Sequence, residues 1–219
     1  MARYLILKLQ GLFQAWGGHT FETYRPTELF PTRSGVTGLL GACLGLRRHE
    51  KEALADLDRS YSYAVRRDQS PYPATRMVDF HTVQNVRTVK SDPKETEITR
   101  REYLEDASFT LALSQSEKAA YDLDRLGEAL RRPELTPYLG RRSCPLGRPL
   151  FEADLLASSF DEALRAVVPG SGTVYSEEKP ARDAVAMRIR DLPVAGSRHF
   201  ETRRLFVYAA EEDAGHVHQ

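Results

Sequence analysis

The residues best suited to bind an anionic chain are concentrated in one loop, 137–149. It carries Tyr138, Arg141, Arg142 and Ser143 on a backbone that three prolines and two glycines keep out of any regular period. Guanidinium groups form paired hydrogen bonds with phosphates, and a tyrosine can stack on a base. The loop therefore suits a phosphodiester clamp. The same residues would also make a solvated basic turn, and the spacing does not separate these two alternatives.

A second candidate is a glycine-rich helix within residues 31–46. Thr32 and Ser34 suit the N-cap position, so a helix should begin between Arg33 and Gly35. At about 100° per residue, the apolar side chains gather on one side, and the glycines gather on another: Gly35, Gly38, Gly41 and Gly45. Four interior glycines forgo about 3–4 kcal/mol of helix stability relative to alanine. Two alternatives explain a helix backbone without side chains at these positions: a closely packed neighbour, or a phosphodiester at the positive end of the helix.

Other residues with chemical potential are scattered. The single tryptophan, Trp16, stands beside two glycines and is either a lid on the core or a stacking platform for a base. Cys43 and Cys144 lack the spacing of a metal site or a disulfide framework, so both are expected to be reduced thiols. Glu177 and Glu178 would point to opposite faces of a strand, which disfavours a metal site there. We therefore expect no metal and no other cofactor.

The charge is balanced overall but uneven along the chain. The 219 residues include 31 Lys and Arg and 31 Asp and Glu, so net charge alone does not indicate a nucleic-acid partner. Residues 1–48 are nevertheless basic, with six cationic side chains against Glu22 and Glu28. We see no signal-peptide pattern at the N-terminus and no apolar run long enough to cross a bilayer. A cytoplasmic protein without a membrane partner is therefore expected.

Periodic segments predict the elements that must position these residues. Strand patterns occupy four segments: 4–9, 61–65, 107–113 and 150–156. One helix follows the first strand, Arg47–Arg59 is a charged surface segment, and a second helix capped by Ser116 covers Glu117–Arg132 with a leucine stripe. This order predicts an α+β fold on the ferredoxin-like (RRM-like) plan. We place this domain at 1–156 and a smaller, β-rich C-terminal lobe at 157–219.

The connection between the second and third predicted strands is much longer than a hairpin turn. It covers residues 67–106, where about two to five residues would suffice. Met77–Val83 and Glu97–Leu104 both have strand patterns and are separated by turn-rich sequence. We predict an inserted β-hairpin arm that is marginally stable unless it packs on something.

Eight sequence blocks, spread in order over about 170 residues, resemble one family closely. They are Gln14–Gly17, Pro31–Gly35, Leu39–Gly45, Asp79–Val83, Arg101–Leu104, Asp106–Thr110, Pro137–Leu146 and Tyr175–Glu178. The blocks resemble the Cas-five family of the RAMP superfamily, and within it the subunits of type I-E CRISPR Cascade complexes. The resemblance implies a ferredoxin-like RNA-binding domain whose inserted arm is a protruding thumb.

The resemblance also implies a non-catalytic function in antiviral defence. Such a subunit would bind and kink the 5′ handle of the crRNA and would anchor a backbone subunit and the large PAM-recognising subunit. Target DNA would be reached through the assembled complex. The residues expected to contact RNA are Gln14, Arg33, Ser34, Arg101, Tyr138, Gly140, Arg141, Arg142 and Ser143, followed by Trp16, Arg25, His81, Arg87 and Lys90. The arginines would bind phosphates, and Tyr138 would stack on a base or contact a sugar.

Two other functions remain as alternatives. Relatives in another CRISPR subtype cleave precursor crRNA without metal, which requires a side-chain base within hydrogen-bond reach of a 2′-hydroxyl. His19 and His81 are the histidines available for this role, and the sequence identifies a partner for neither. A purely protein-binding scaffold is the other alternative. It predicts that replacing Arg141 and Arg142 leaves RNA retention unchanged.

Overall fold

A computed structural model describes residues 1–18, 23–71, 74–86, 94–194 and 199–210. The helices are Arg33–Cys43 (α1), Lys51–Arg59 (α2), Leu123–Arg131 (α3) and Phe160–Arg165 (α4). The strands are Ala2–Gln10 (β1), Phe13–Gln14 (β2), Trp16–Gly17 (β3), Tyr24–Arg25 (β4), Thr27–Glu28 (β5), Tyr61–Asp68 (β6), Thr75–Val86 (β7), Lys94–Glu105 (β8), Ser108–Gln115 (β9), Phe151–Ala157 (β10), Gly172–Ser176 (β11), Val185–Pro193 (β12) and Phe200–Ala210 (β13). None of these helices is long and apolar enough to cross a membrane.

The centre of the molecule is a seven-stranded antiparallel sheet. Its strand order is β10-β1-β9-β6-β11-β13-β12. β1 lies between β9 and β10, with Tyr4 opposite Ser114 on one side and Leu155 on the other. The four strands predicted in residues 1–156 are all present. The α+β prediction is confirmed at this level, because the chain is a mixed α/β protein dominated by sheet.

Both faces of this sheet are covered. Leu5 and Leu7 of β1 point to a core shared with α1, α2 and α3, whereas Tyr4 and Ile6 point to a second core under α4. The ring of Phe160 on α4 meets Tyr4 edge-on, with ring centroids 5.0 Å apart. RNA-recognition motifs bind bases on an uncovered sheet face. Because α4 covers the face that carries Tyr4 and Ile6, that face is not open to bases in this chain.

Helix α1 begins at Arg33, as predicted, but its N-terminus is capped by a distant residue. The Thr32 side chain is buried, and it makes no capping hydrogen bond. The backbone N–H of Arg33 instead donates to Oδ2 of Asp191 on β12, at 2.7 Å. The predicted Thr32 side-chain cap is wrong, because a carboxylate is the stronger acceptor and also interacts favourably with the helix dipole.

The glycines of α1 have different neighbours. A Cβ at Gly35 would lie 2.8 Å from Cε3 of Trp16, and one at Gly41 would lie 2.8 Å from a leucine methyl of α2. Gly38 has nothing within 4 Å of such a Cβ. Gly45 lies just past the helix, with φ +79°, and forms its C-terminal turn. Close packing within the chain therefore explains two of the four glycines, and the left-handed turn explains a third.

The other two helices on this side of the sheet differ from the prediction. α2 lies in the segment predicted to be charged surface. α3 begins six residues later than predicted, because Asp122 is its N-cap and accepts a hydrogen bond from the Arg125 N–H at 2.8 Å. Ser116 is not a cap, since its backbone N–H donates to the Ser60 carbonyl at 2.9 Å and ties the preceding segment to the body. The predicted leucine stripe of α3 is buried as expected.

Between β6 and β9 the chain forms a long antiparallel ribbon. β7 and β8 pair with Asp79 opposite Arg101. At the base of the ribbon β2 pairs antiparallel with β8, and β4 pairs parallel with it, with Arg25 opposite Arg101. The ribbon occupies the chain position predicted for the arm. The expected contacts Arg87 and Lys90 lie outside the described residues.

The C-terminal strands continue the large sheet. β11 pairs with β6 on one side and with β13 on the other, so Val174 lies opposite both Arg66 and Tyr208. Ile189 and Leu205 belong to the same core as the leucines of β1. The division into 1–156 and 157–219 stays a prediction, and hydrogen-bonded sheet runs across it.

Candidate nucleic-acid interface

The loop 137–149 is a fixed platform on the body of the protein. Leu139 and Cys144 are fully buried, and the Leu139 N–H donates to the Cys144 carbonyl at 2.8 Å. The Ala15 N–H donates to the Leu139 carbonyl at 3.1 Å and so attaches the loop to the segment before β3. Tyr138 remains 37% exposed. The apolar residues of the loop thus anchor it, and its polar residues face outward.

Gly140 gives the loop its shape. Its φ is +86°, and a Cβ at this position would lie 1.8 Å from the carbonyl oxygen of Ala15. Only glycine combines that left-handed backbone with so close an approach. The turn sends Arg141 towards the ribbon and leaves Arg142 and Ser143 exposed.

One face of the ribbon base carries arginines. Paired residues of neighbouring strands, and alternate residues along one strand, point to the same face, so Arg25, Arg101 and Tyr103 share a face. The guanidinium carbon of Arg141 lies 4.8 Å from the centroid of the Tyr103 ring. The loop and the ribbon therefore meet over Tyr103. We define the arginine face as Arg25, Arg101, Arg141 and the next residue along the loop, Arg142.

Hydrogen bonds hold Arg141 in this position. Its Nη1 donates to the Glu102 carbonyl and its Nη2 to the Arg25 carbonyl, both at 3.2 Å. The Nε of Arg101 donates to Oγ1 of Thr99 at 3.1 Å. In the described ranges, the guanidinium of Arg142 has neither a hydrogen bond nor an ion pair within the chain. Arg25 is also exposed, and in the same ranges its guanidinium has no such bond either, so Arg25 and Arg142 are the members of the arginine face most available to a phosphate.

Behind the arginine face lies a buried carboxylate, Glu102. Its Oε1 accepts a hydrogen bond from the Tyr24 hydroxyl, and its Oε2 accepts one from the Thr27 N–H at 3.0 Å. Nη1 of Arg76 lies 3.8 Å from Oε2. Burial alone would raise the pKa of this carboxyl, but the hydrogen bonds from Tyr24 and Thr27 and the charges of Arg76 and Arg141 hold the pKa below its usual range. Glu102 is thus a stable anion that joins β4, β5 and β7.

The comparison with known proteins decides the family. A family model described as CRISPR-associated protein (Cas_Cas5) matches residues 4–206. The chain belongs to this family. It is 44% identical over 217 residues to the CRISPR system Cascade subunit CasD of Escherichia coli (strain K12), an alignment that covers 94% of this chain and 96% of that protein.

Two solved structures are similar over nearly the whole chain. One, described as a CRISPR RNA-guided surveillance complex, contains a chain with a TM-score of 0.75 and 29% identity, covering 96% of this chain and 91% of that one. The other, described as the crystal structure of a Cas protein, has a TM-score of 0.69 and 27% identity, covering 95% of each chain. The sheet-dominated architecture is therefore that of Cas5 and related proteins.

In this Cas5-family chain the expected contact residues fall into three groups. Those exposed or partly exposed on the loop, the ribbon and the start of α1 are Arg25, Ser34, His81, Arg101, Tyr138, Gly140, Arg141, Arg142 and Ser143. Gln14, Trp16 and Arg33 are buried. Arg87 and Lys90 lie outside the described residues. The ribbon base and the loop bring together Arg25, Arg101 and Arg141, whereas Ser34 lies on another element.

Gln14 and Trp16 form an internal pair. Nε1 of Trp16 donates to Oε1 of Gln14 at 3.0 Å, and Nε2 of Gln14 donates to the carbonyls of Leu9 and Ala107 at 3.1 and 2.6 Å. The Trp16 ring packs under Gly35. This placement agrees with the lid alternative for Trp16. Direct contact of either side chain with RNA would require this part of the core to open.

Arg33 belongs to a buried network of charges. Its Nε donates to Asp58 at 2.8 Å, its Nη1 to Glu177 at 2.7 Å and its Nη2 to the Tyr61 carbonyl at 2.9 Å. Arg203 donates to the same Glu177 oxygen at 2.9 Å. We define the charge network as Arg33, Arg203, Asp58, Glu177 and Asp191. Because its donors are used inside the chain, Arg33 positions α1, and its contact with RNA stays a prediction.

Sequence reasoning missed Tyr24, Glu102 and Tyr103 as parts of the site. Glu102 and Tyr103 stand in the block Arg101–Leu104, where a carboxylate inside an otherwise buried strand is a signal for a hidden partner. That partner, Tyr24, lies 78 residues away. Local spacing carries no information about such a pairing.

Few side chains in the described part of the Cas5-family chain are placed to act as a catalytic base or nucleophile. His81 is exposed on the ribbon, with Nε2 3.2 Å from Asp79, and His19 lies outside the described residues. Cys43 and Cys144 are buried free thiols, and burial raises the pKa of Cys43 to about 12, which is unsuited to a nucleophile. Within the described ranges, no group of three or more His, Cys, Asp or Glu residues is placed to hold a metal ion.

Proposed function

We propose that this chain is a non-catalytic, crRNA-binding subunit of a type I-E CRISPR Cascade surveillance complex. Its membership of the Cas5 family and its 44% identity to a Cascade subunit support the assignment. The observation that carries the RNA-binding part is the arginine face, in which a rigid loop and the ribbon base converge. Guanidinium groups fixed in this way can bind successive phosphates without a large ordering cost.

The proposed binding mode follows from the geometry of the loop and the ribbon. Arg101, Arg141 and Arg142 bind phosphates of the 5′ handle, and Tyr138 stacks on a base or contacts a sugar. The ribbon acts as the thumb, which kinks the RNA where handle meets spacer. The order β10-β1-β9-β6, with α1 and α3 on one face, supports the ferredoxin-like interpretation of residues 1–156.

The protein partners are part of the same proposal. The chain anchors a backbone subunit and the large PAM-recognising subunit, and it meets target DNA through the assembled complex in the cytoplasm. Val78, Phe80 and Ile98 share the ribbon face opposite the arginine face, and they are 55%, 59% and 45% exposed. Apolar side chains left so exposed support a surface that is covered on assembly.

The direct test is removal of the two loop arginines. We expect the double variant Arg141→Ala/Arg142→Ala to bind a labelled RNA of the host CRISPR repeat about 10- to 100-fold more weakly, because two guanidinium groups that bind phosphates are removed. The plot of log affinity against log salt should become less steep by about 1.4, since each neutralised phosphate of a single strand contributes about 0.7 to the steepness. A filter-binding titration at several salt concentrations measures both quantities.

The matched control removes the same charge elsewhere. Arg188 and Arg204 are exposed partners on β12 and β13 at the edge of the large sheet, and Arg188→Ala/Arg204→Ala should leave the affinity and the salt slope unchanged. Arg142→Ala alone should lower the affinity without changing the melting temperature. If the loop variant binds as tightly as the control variant, the chain is a protein-binding scaffold and the RNA assignment is wrong.

The nuclease alternative is tested with the same RNA. We expect the repeat RNA to remain intact on a denaturing gel after incubation with the protein in EDTA. A discrete product that forms without metal and disappears in His81→Ala would replace the proposal, because the His81–Asp79 pair would then be acting on the 2′-hydroxyl.

A further inference from the structure

The arginine face is assembled from three separate segments, 24–27, β8 and the loop 137–149, and one residue of β8, Glu102, contacts the other two. Segment 24–27, strand β7 and the loop 137–149 all meet β8 at Glu102. The carboxylate of Glu102 binds Tyr24 and Thr27, and its backbone carbonyl accepts from Arg141 at 3.2 Å. The residue is 6% exposed. Glu102 itself does not reach the arginine face, because adjacent residues of a strand point to opposite faces.

We infer that Glu102 is a positioning residue for RNA binding, which sets the spacing of Arg25, Arg101 and Arg141 through its bonds to segment 24–27. This inference rests on the proposed function. The carboxylate fixes β4 in parallel register beside β8, and that register places Arg25 next to Arg101. It also fixes the carbonyl of Arg25, which accepts one of the two bonds that hold Arg141.

The sign of the effect separates positioning from charge. A carboxylate behind a cationic surface lowers the local positive potential, so its neutralisation should strengthen RNA binding if charge were its only contribution. A positioning role predicts the opposite result. In Glu102→Gln, segment 24–27 keeps one uncharged acceptor where it had two charged oxygens, so Arg25 and Arg141 are held less firmly. Binding then weakens even though the surface has become more positive.

The test compares two substitutions that remove the same charge from the same strand. In the full-length chain, Glu102→Gln should bind the labelled host repeat RNA about tenfold more weakly than wild type. Glu105→Gln is the matched control, because Glu105 lies three residues on and accepts a hydrogen bond from Thr75 at 2.6 Å at the ribbon base. It should bind RNA as tightly as wild type or slightly more tightly.

A second variant tests the same hydrogen bond without any change of charge. Tyr24→Phe removes the hydroxyl that donates to Glu102 and leaves the ring in place. It should weaken RNA binding in the same direction as Glu102→Gln. The double variant Tyr24→Phe/Glu102→Gln should bind RNA no more weakly than the single variant with the lower affinity, because both substitutions break the same hydrogen-bonded unit.

Two readouts distinguish positioning from general damage to the fold. Partial unfolding would lower the fraction of protein that binds RNA, measured by stoichiometric titration, and would leave the salt slope of the remaining fraction unchanged. A positioning defect should keep that fraction near one and decrease the slope by about 0.7 for each phosphate that the protein no longer binds. A normal melting curve for Tyr24→Phe makes this comparison valid even if Glu102→Gln is destabilised.

The outcomes separate the two proposals. If wild type binds the repeat RNA, Arg141→Ala/Arg142→Ala does not, and Glu102→Gln and Tyr24→Phe bind like wild type, the proposed function stands and the positioning role is wrong. If Glu102→Gln binds more tightly, the carboxylate acts only through its charge. If wild type itself fails to prefer the repeat RNA over a scrambled sequence, the RNA-binding function and the positioning role both fail.

Discussion

At the scale of single residues, Gly140 has the most restricted position in the candidate site. We predict that Gly140→Ala destabilises the protein and weakens RNA binding. A left-handed φ costs a non-glycine residue about 1–2 kcal/mol, and the new Cβ would lie 1.8 Å from the Ala15 carbonyl oxygen, so the loop must also shift. Thermal unfolding and RNA titration of the variant measure the two effects.

Gly17 provides the control for this substitution. A Cβ at Gly17 has nothing within 4 Å, and Gly17 follows the same segment that holds the loop. Gly17→Ala should therefore leave both the melting temperature and the RNA affinity close to wild type. Equal behaviour of the two variants would contradict the argument that Gly140 fixes the loop.

The types of the candidate residues could be predicted from sequence, but their surroundings could not. A loop with Tyr138, Arg141 and Arg142 was identifiable because prolines and glycines interrupt every period there. The burial of Gln14 and Arg33 was not identifiable from local spacing. Gln14 donates to a carbonyl 93 residues away, and Arg33 donates to carboxylates 25 and 144 residues away. A polar residue type is equally compatible with a bound ligand and with a hydrogen-bond partner inside the protein.

At the scale of elements, the glycines of α1 make opposite predictions. Gly35→Ala should lower the free energy of unfolding by about 1–2 kcal/mol, because overpacking against the buried Trp16 ring outweighs the gain in helix propensity. Gly38→Ala should raise it by about 0.8–1 kcal/mol, since its Cβ meets open space in the middle of the helix. Urea unfolding of the two variants measures both values. A gain at Gly35 would show that Trp16 can move away from α1.

The elements themselves were predictable wherever the period was strong. The alternation in β6 and β9 and the leucine stripe of α3 gave the correct element types, because the large apolar side chains of each element point to one core. α2 was missed although Leu54 and Leu57 stand three residues apart among good helix formers. The charged residues between and around them led to an assignment as charged surface. The start of α3 was misplaced because Ser116 and Asp122 are both good caps, and only the bond to Ser60 decides between them.

At the scale of the whole molecule, the location of the proposed RNA site follows from what the large sheet leaves uncovered. α4 covers the face that carries Tyr4 and Ile6, so the proposed RNA site lies on the ribbon and the loop beside the sheet. This arrangement agrees with a net charge of zero, because a small set of fixed guanidiniums can bind phosphates without a basic surface overall. Neither the face of the sheet that α4 covers nor the resulting location could be derived from strand and helix patterns.

The charge network predicts that the two ends of the chain unfold together. Arg203 on β13 donates to Asp191 at 2.6 and 2.7 Å and to the Tyr63 hydroxyl of β6 at 2.7 Å, and its side chain is 8% exposed. Replacing it leaves the buried carboxylate of Asp191 without a cationic partner, whereas Glu177 keeps Arg33, so Arg203→Met should cost about 3–5 kcal/mol. Arg204→Met is the control, because Arg204 is exposed on the same strand.

The single tryptophan reports on this coupling. Trp16 is fully buried beside α1, in the half of the chain opposite to Arg203, and its fluorescence therefore follows the unfolding of residues 1–156. Because β11 lies between β6 and β13 in one sheet, we expect Arg203→Met to lower the fluorescence midpoint and the circular-dichroism midpoint by the same amount. The opposite outcome is a lower circular-dichroism midpoint with a Trp16 midpoint that stays at the wild-type value. It would mean that residues 157–219 unfold as a separate lobe. The continuous sheet would then not make the chain one cooperative unit.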